Sequence, residues 1–235
     1  MRAYAFLGAA QFGYQADVVD QLRRQGVDVE PLVEGSLDDL EAIATAGPAL
    51  LFLCGLPYTR LRDAGFPVEP LVAPAIGDGP PMYTSTLLGR SGVVLDELHG
   101  AHLAINHRPS MSGWVLPVAA GLPLERFARI TETGAHRRSL EVLLAGEADA
   151  APIDSHLLAA EAVHWPEVRS LPVLAEYGPS PSPPIVLAGD GDVAALRALL
   201  VDVHPTGHVD RLVAVDDAFY DPTRESDRRA ALCTR

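Results

Sequence analysis

The sequence predicts an α/β protein of two lobes, and three observations carry the prediction. Short apolar runs alternate with amphipathic helical patterns along the 235 residues, the signature of βα units rather than of an all-α or all-β chain. One run, Ala49–Leu53, is apolar at every position, as a strand covered on both faces must be. Turn-rich stretches near residues 77–84 and 176–184 divide the pattern in two. The segment after the second break is too short to bury a core of its own, so it is expected to return to the first. This gives a discontinuous lobe, residues 1–82 plus 177–235, around an inserted lobe, residues 83–176, joined by two crossovers.

Taken in order, Arg2–Leu7 reads as a strand, and Gln11–Gln25 as a helix with Val18, Val19 and Leu22 on its apolar stripe. Gly26 stops that helix, and Val27–Leu32 reads as a second strand. Ser36 is a good N-cap for a second helix, with Asp38 and Asp39 at the positive end of its dipole. Ala49–Leu53 is expected at the centre of a parallel sheet. The loop Gly55-Leu-Pro-Tyr-Thr-Arg leaves its C-terminal end, the edge at which open α/β sheets hold ligands. Pro70–Ile76 is apolar, and GDGPPMYTST breaks the chain.

In the second segment, Leu87–Val94 is interrupted by Gly89 and Gly92, and Leu95–Gly100 reads as a short helical turn. Ala101–Ile105 is a strand, and Trp114–Ala120 lies on a helix opened by Ser112. Arg126–Glu132 and Ala148–Ile153 read as strands around a helix at Ser139–Leu144 that Gly146 ends. Asp154–Val163 is a further helix. Leu171–Glu176 reads as a strand before a proline-rich return, YGPSPSPPIVLAGD, which contains a strand at Ile185–Ala188. Helices are expected at Asp192–Val201 and Gly207–Val215. From Asp221 the polar, charged tail is expected to fray.

The formal charge of −13 argues against a nucleic-acid partner, which needs a positive field, yet a local pocket can still oppose the global charge and hold a small anion. The apolar runs are far too short to cross a bilayer. The N-terminal MRAYAFLGAAQFGYQADVVD has no sustained apolar core, so no signal peptide is read and a chain starting at Met1 is expected in the cytoplasm; a trimmed N-terminus would place it outside. Cys54 and Cys233 give neither a disulfide framework nor metal spacing. His99 and His102 straddle Gly100, and Pro205 and Gly207 interrupt the His204/His208 pair, so no metal is expected. There is no P-loop, no G-x-G-x-x-G and no G-x-S-x-G, and no cofactor is expected.

The stretch most open to chemistry is INHRPSMSGW, residues 105–114. Its turn Ser110-Met111-Ser112-Gly113, placed between a strand and a helix, is either an ordinary N-cap or a cradle in which hydroxyls and free N–H groups hold an anion. His136 either donates to such an anion or caps the helix after Gly134, and Asp154 caps the next helix with a second, ligand-facing role left open. Tyr83 is expected to line the site. Tyr58 and Trp114 either line it or pack as half-buried aromatics, and Arg60 is either a carboxylate partner or a solvated cation.

The order Tyr83-Thr84-Ser85, LDELHGAHLAI, Ser110-Met111-Ser112-Gly113-Trp114, GAHRRSLEVLLAGEADAAPIDS and SPSPPIVL resembles the phosphonate/phosphate-type periplasmic substrate-binding proteins of ABC transporters. The resemblance covers residues 83–190 closely and the first lobe loosely. It implies a type II periplasmic-binding-protein fold, two lobes of mixed sheets flanked by helices. It also implies that Ser110, Ser112 and Gly113 hold a phosphonate, that Tyr83, Ser85 and His136 add donors, and that Asp154 pairs with an amine. Met111 stands where the family more usually has a threonine.

Two readings follow. In the first, the protein binds a small phosphonate-, phosphate- or carboxylate-like anion in a cleft between the lobes, with Asp154 and first-lobe groups near Tyr58 selecting the rest of the ligand and an ABC permease as partner. In the second, the same fold serves a cytoplasmic enzyme or sensor, with Ser112, His136 and Asp154 as a superficial triad.

Overall fold

The computed structural model describes residues 1–7, 9–95 and 98–234, with the backbone alone for residues 9–12. Two compact units emerge, Met1–Met82 with Pro181–Thr223, and Tyr83–Ser180 with the segment from Arg224 onward.

The first unit is built on six strands: β1 (Arg2–Ala5), β2 (Val33–Glu34), β3 (Ala49–Phe52), β4 (Val68–Ala75), β10 (Ile185–Ala188) and β11 (Arg211–Ala214). They form one mixed sheet in the order β11-β4-β10-β3-β1-β2. Strands β2 and β3 run parallel to β1, whereas β10 is antiparallel to both β3 and β4. Strand alternation divides the apolar run of β3 between the two faces. Leu50 and Phe52 pack with Val18 and Leu22 of α1 (Ala9–Arg24) and Leu200 of α7 (Val193–Val201). Leu51 and Leu53 pack with Ala44 of α2 (Leu40–Thr45) and Leu61 of α3 (Gly55–Asp63).

The second unit carries five strands: β5 (Met82–Gly89), β6 (Ala101–Ile105), β7 (Phe127–Glu132), β8 (Ala150–Asp154) and β9 (Val173–Pro181). Their order in the sheet is β7-β6-β8-β5-β9. Strand β6 runs parallel to β7 and β8, and β5 is antiparallel to β8. Helices α4 (Leu116–Ala119), α5 (His136–Leu144) and α6 (Ser155–His164) connect these strands, and α8 (Asp221–Cys233) ends the described chain. No helix of the described residues is long and apolar enough to cross a membrane.

Several sequence expectations are corrected. Val27–Leu32 is not a strand: the Val27 N–H returns to the Leu22 carbonyl to close α1, and only Val33–Glu34 pairs with β1. The expected loop Gly55–Arg60 is the start of α3, because Pro57 in a first turn forfeits no intrahelical hydrogen bond. The sheet around β3 is mixed rather than parallel. Strand β5 begins at Met82, inside the expected break, and Gly89 ends it where a Cβ would meet Leu174 at 2.9 Å.

The cap before α4 is Ser110, not Ser112, and the first turn, Met111–Val115, is a π-helical turn. Gly207–Val215 holds a strand, β11, rather than a helix, since Leu212 faces the core between more exposed neighbours and the segment pairs with β4. The tail does not fray: α8 runs through it, with Thr223 and Ala230 buried. The return to the first unit falls after Ser180, because β9 continues to Pro181, and the segment from Arg224 groups with the second unit. The helical turn expected over Leu95–Gly100 includes residues 96 and 97, outside the described residues.

Candidate functional site

The second unit brings its hydroxyl-rich turn to the C-terminal end of β6, the edge at which a parallel strand hands its chain to a helix. Ser110 sits there with extended backbone, and its Oγ accepts the Gly113 N–H at 3.0 Å. The N–H groups of Met111 and Ser112 open the helical segment and have no partner within it. Trp114 and Val115 return their N–H groups to the Ser110 carbonyl, which closes the wide π turn.

Residues of β5, α5 and β8 converge on this turn. Ser85, fully buried on β5, donates its hydroxyl to the Ser112 carbonyl at 2.6 Å. Its proton therefore supports the turn. His136, the first residue of α5, places Nε2 2.9 Å from the Ser112 hydroxyl. Burial of the imidazole lowers its pKa to about 3, and His107 pushes in the same direction; the Pro152 carbonyl acts in the opposite sense. The ring is neutral at physiological pH and offers one N–H and one lone pair. His107 is also lowered, by burial first and against the pull of Glu132.

Asp154 stands opposite Ser85 in the β5–β8 register. It is the N-cap of α6: Oδ1 accepts the N–H groups of His156 at 2.9 Å and Leu157 at 3.0 Å. Burial raises its pKa to about 6 even though those two bonds favour the charged form. Tyr83 is buried beside His156, with ring centroids 5.9 Å apart, and Ser155 accepts the Thr84 N–H. The structure thus joins Ser110, Ser112, Gly113, Ser85 and His136 in one constellation, with Asp154 paired to Ser85 on the neighbouring strand.

Tyr58 belongs to the other unit. It is fully buried in the first unit on α3, edge-on to Tyr220, and donates its hydroxyl to Asp217 at 2.6 Å. Trp114 is buried, with the Arg108 guanidinium 4.5 Å from its ring centroid. Arg60 is exposed on α3. Among the described residues, no group of three or more His, Cys, Asp or Glu side chains is placed to hold a metal ion.

Sequence reading missed Asn106. Its Nδ2 donates to Ser110 Oγ at 2.9 Å, its backbone carbonyl accepts the Gly134 N–H, and its Oδ1 is buried without a partner among the described residues. A Cβ on Gly113 would lie 1.8 Å from that oxygen, so only glycine fits there. The signal was in the sequence, an amide at the end of a strand four residues before the capping serine.

Comparison with known proteins agrees with this architecture. A family model described as ABC transporter, phosphonate, periplasmic substrate-binding protein matches residues 16–226. No curated protein matches the chain in sequence. Among solved structures, the chain is similar to a binding-protein component of an ABC phosphonate transporter from Pseudomonas aeruginosa, at 15% identity and a TM-score of 0.77, covering 100% of this chain and 87% of that one. It is similar to PhnD1 from Prochlorococcus marinus, solved in complex with methylphosphonate, at 13% identity and a TM-score of 0.79, with 98% of each chain covered. A Xanthomonas citri protein bound to chloride ion matches at 14% identity and a TM-score of 0.67, over 100% of this chain and 97% of that one.

Proposed function

The chain belongs to the family of periplasmic phosphonate substrate-binding proteins of ABC transporters, and on that premise we propose that its own ligand is a small phosphonate-like anion held by the serine turn of the second unit. The observation that carries the reading is the convergence of Ser110, Ser112, Gly113 and His136 at the end of β6, supported from behind by Ser85. The turn supplies hydroxyls and helix-opening N–H groups, and the neutral His136 supplies a ring nitrogen. An anion there is stabilised by dipoles rather than by a formal counter-charge.

Asp154 and Tyr83 shape the space beyond the anion. A carboxyl group titrating near 6 pairs with an amine above that pH and donates a hydrogen bond below it. In the transporter, the protein would deliver this ligand to a membrane-embedded permease. A hydrolytic triad is not favoured, because Oδ1 of Asp154 is committed to the first amides of α6 and not to His136.

The test is thermal unfolding in the presence of methylphosphonate, inorganic phosphate and sulfate. A probe at one hundred times its Kd adds about 2.7 kcal/mol, a rise of several degrees in Tm. Ser112→Ala removes a hydrogen bond to a charged group and should weaken the same probe roughly 10- to 100-fold. No shift with any probe would overturn the reading.

A further inference from the structure

Ser110 is more constrained than a capping serine needs to be. A hydroxyl oxygen has two lone pairs and one proton. Here both lone pairs are filled by N–H donors, Gly113 N at 3.0 Å and Asn106 Nδ2 at 2.9 Å. Among the described residues no acceptor takes the Ser110 proton. A capping serine requires only the first of these bonds. The second comes from a buried side chain held in place by its own backbone, whose carbonyl accepts the Gly134 N–H two residues before His136.

We propose that Asn106 is a positioning residue for the anion site: by donating to Ser110 Oγ it turns the Ser110 hydroxyl into an obligate donor toward the bound anion. The inference rests on the proposed function and deepens it. A carboxylate in place of the amide would accept from Ser110 instead, turn the proton inward and present a lone pair to the ligand. Asn106 thus favours anionic ligands without touching them. The close approach of its Oδ1 to Gly113 gives the glycine a matching role, since any Cβ there would dislodge the amide.

The experiment is a double-mutant cycle read by calorimetric titration of methylphosphonate and inorganic phosphate, with the ligand-free Tm of each variant measured alongside. Asn106→Ala and the near-isosteric Asn106→Asp are made in the native and Ser110→Ala backgrounds. The expected result is a loss of roughly tenfold or more for both variants in the native background; with Ser110 replaced by alanine the Asn106→Ala loss shrinks to less than about threefold and the Asn106→Asp loss shrinks to its charge repulsion, because residues acting through one group are not additive. The charge introduced by Asn106→Asp repels an anion in both backgrounds, so a difference between backgrounds reports hydroxyl polarity alone. An equal loss in both backgrounds, or no loss, overturns the inference and leaves the binding function standing.

If the native protein takes up neither probe, the binding reading fails instead. The Asn106–Ser110 bond on which the inference depends is then decided on its own in the ligand-free protein, by NMR exchange of the Asn106 side-chain amide. Slow exchange of one Nδ2 proton that becomes fast in Ser110→Ala supports the bond and its direction. Fast exchange in the native protein overturns it.

Discussion

Asp154 is buried and His136 half-buried with its Nδ1 enclosed, yet their ionisations pull stability in opposite directions. The Asp154 carboxyl titrates near 6 in the folded protein against 3.8 for a free one. Between those values the folded protein holds a proton that the unfolded chain has released, so this contribution falls as pH rises and levels off above 6. Asp154→Asn keeps a good N-cap and never ionises. Its stability relative to the native protein should therefore improve between about pH 4 and pH 7.5, by roughly 1–3 kcal/mol in urea unfolding; a constant difference across that range would count against the burial argument. His136 does the reverse. Its folded pKa of about 3 lies below the 6.5 of a free imidazole side chain, so the unfolded chain binds more protons, and stability is lost as pH falls through that interval. His136→Gln should flatten the acid limb of the stability profile. These shifts come from tertiary burial, which the two residues' sequence neighbours do not reveal.

At the scale of elements, the turn between β6 and α4 leaves no room for a side chain at Gly113. Gly113→Ala would force Asn106 out of its place, at a cost of about 1–3 kcal/mol as an overpacked site. Chemical denaturation should show that loss, with probe affinity falling further than it does for Ala119→Gly at the far end of α4. Tyr58→Phe removes the hydroxyl that donates to Asp217 and should destabilise the first unit by about 1–3 kcal/mol without changing probe affinity, a separation that calorimetry can check. Most βα alternation was legible in sequence, because β3, β6, β8 and β10 are apolar runs bounded by turn residues. Elements were misread where local signals compete. Pro57 read as loop although a first helical turn tolerates it, and the single buried Leu212 of β11 was too little to establish period two. Ser110, Ser112, Gly113, Ser85 and His136 were readable as a set through family resemblance. Asn106 was legible only as an amide at the end of a strand, and its role depends on which way that amide points.

The whole molecule carries an excess of 13 negative charges at neutral pH. Self-repulsion of that size destabilises compact states and is screened by salt. Raising sodium chloride from about 10 to 300 mM should therefore increase the Tm, and the gain should persist in Ser110→Ala if it is screening rather than chloride uptake by the turn. The chain also does not divide where its units do. The first unit is assembled from residues 1–82 and 181–223, and α8 starts there at Asp221 but belongs from Arg224 to the second. A fragment cut at the two crossovers, residues 83–180, would leave its C-terminal helical segment behind on the other piece. Neither unit is therefore a transplantable cassette, and a chimera that exchanges units between relatives has three junctions to respect, one of them inside a continuous helix.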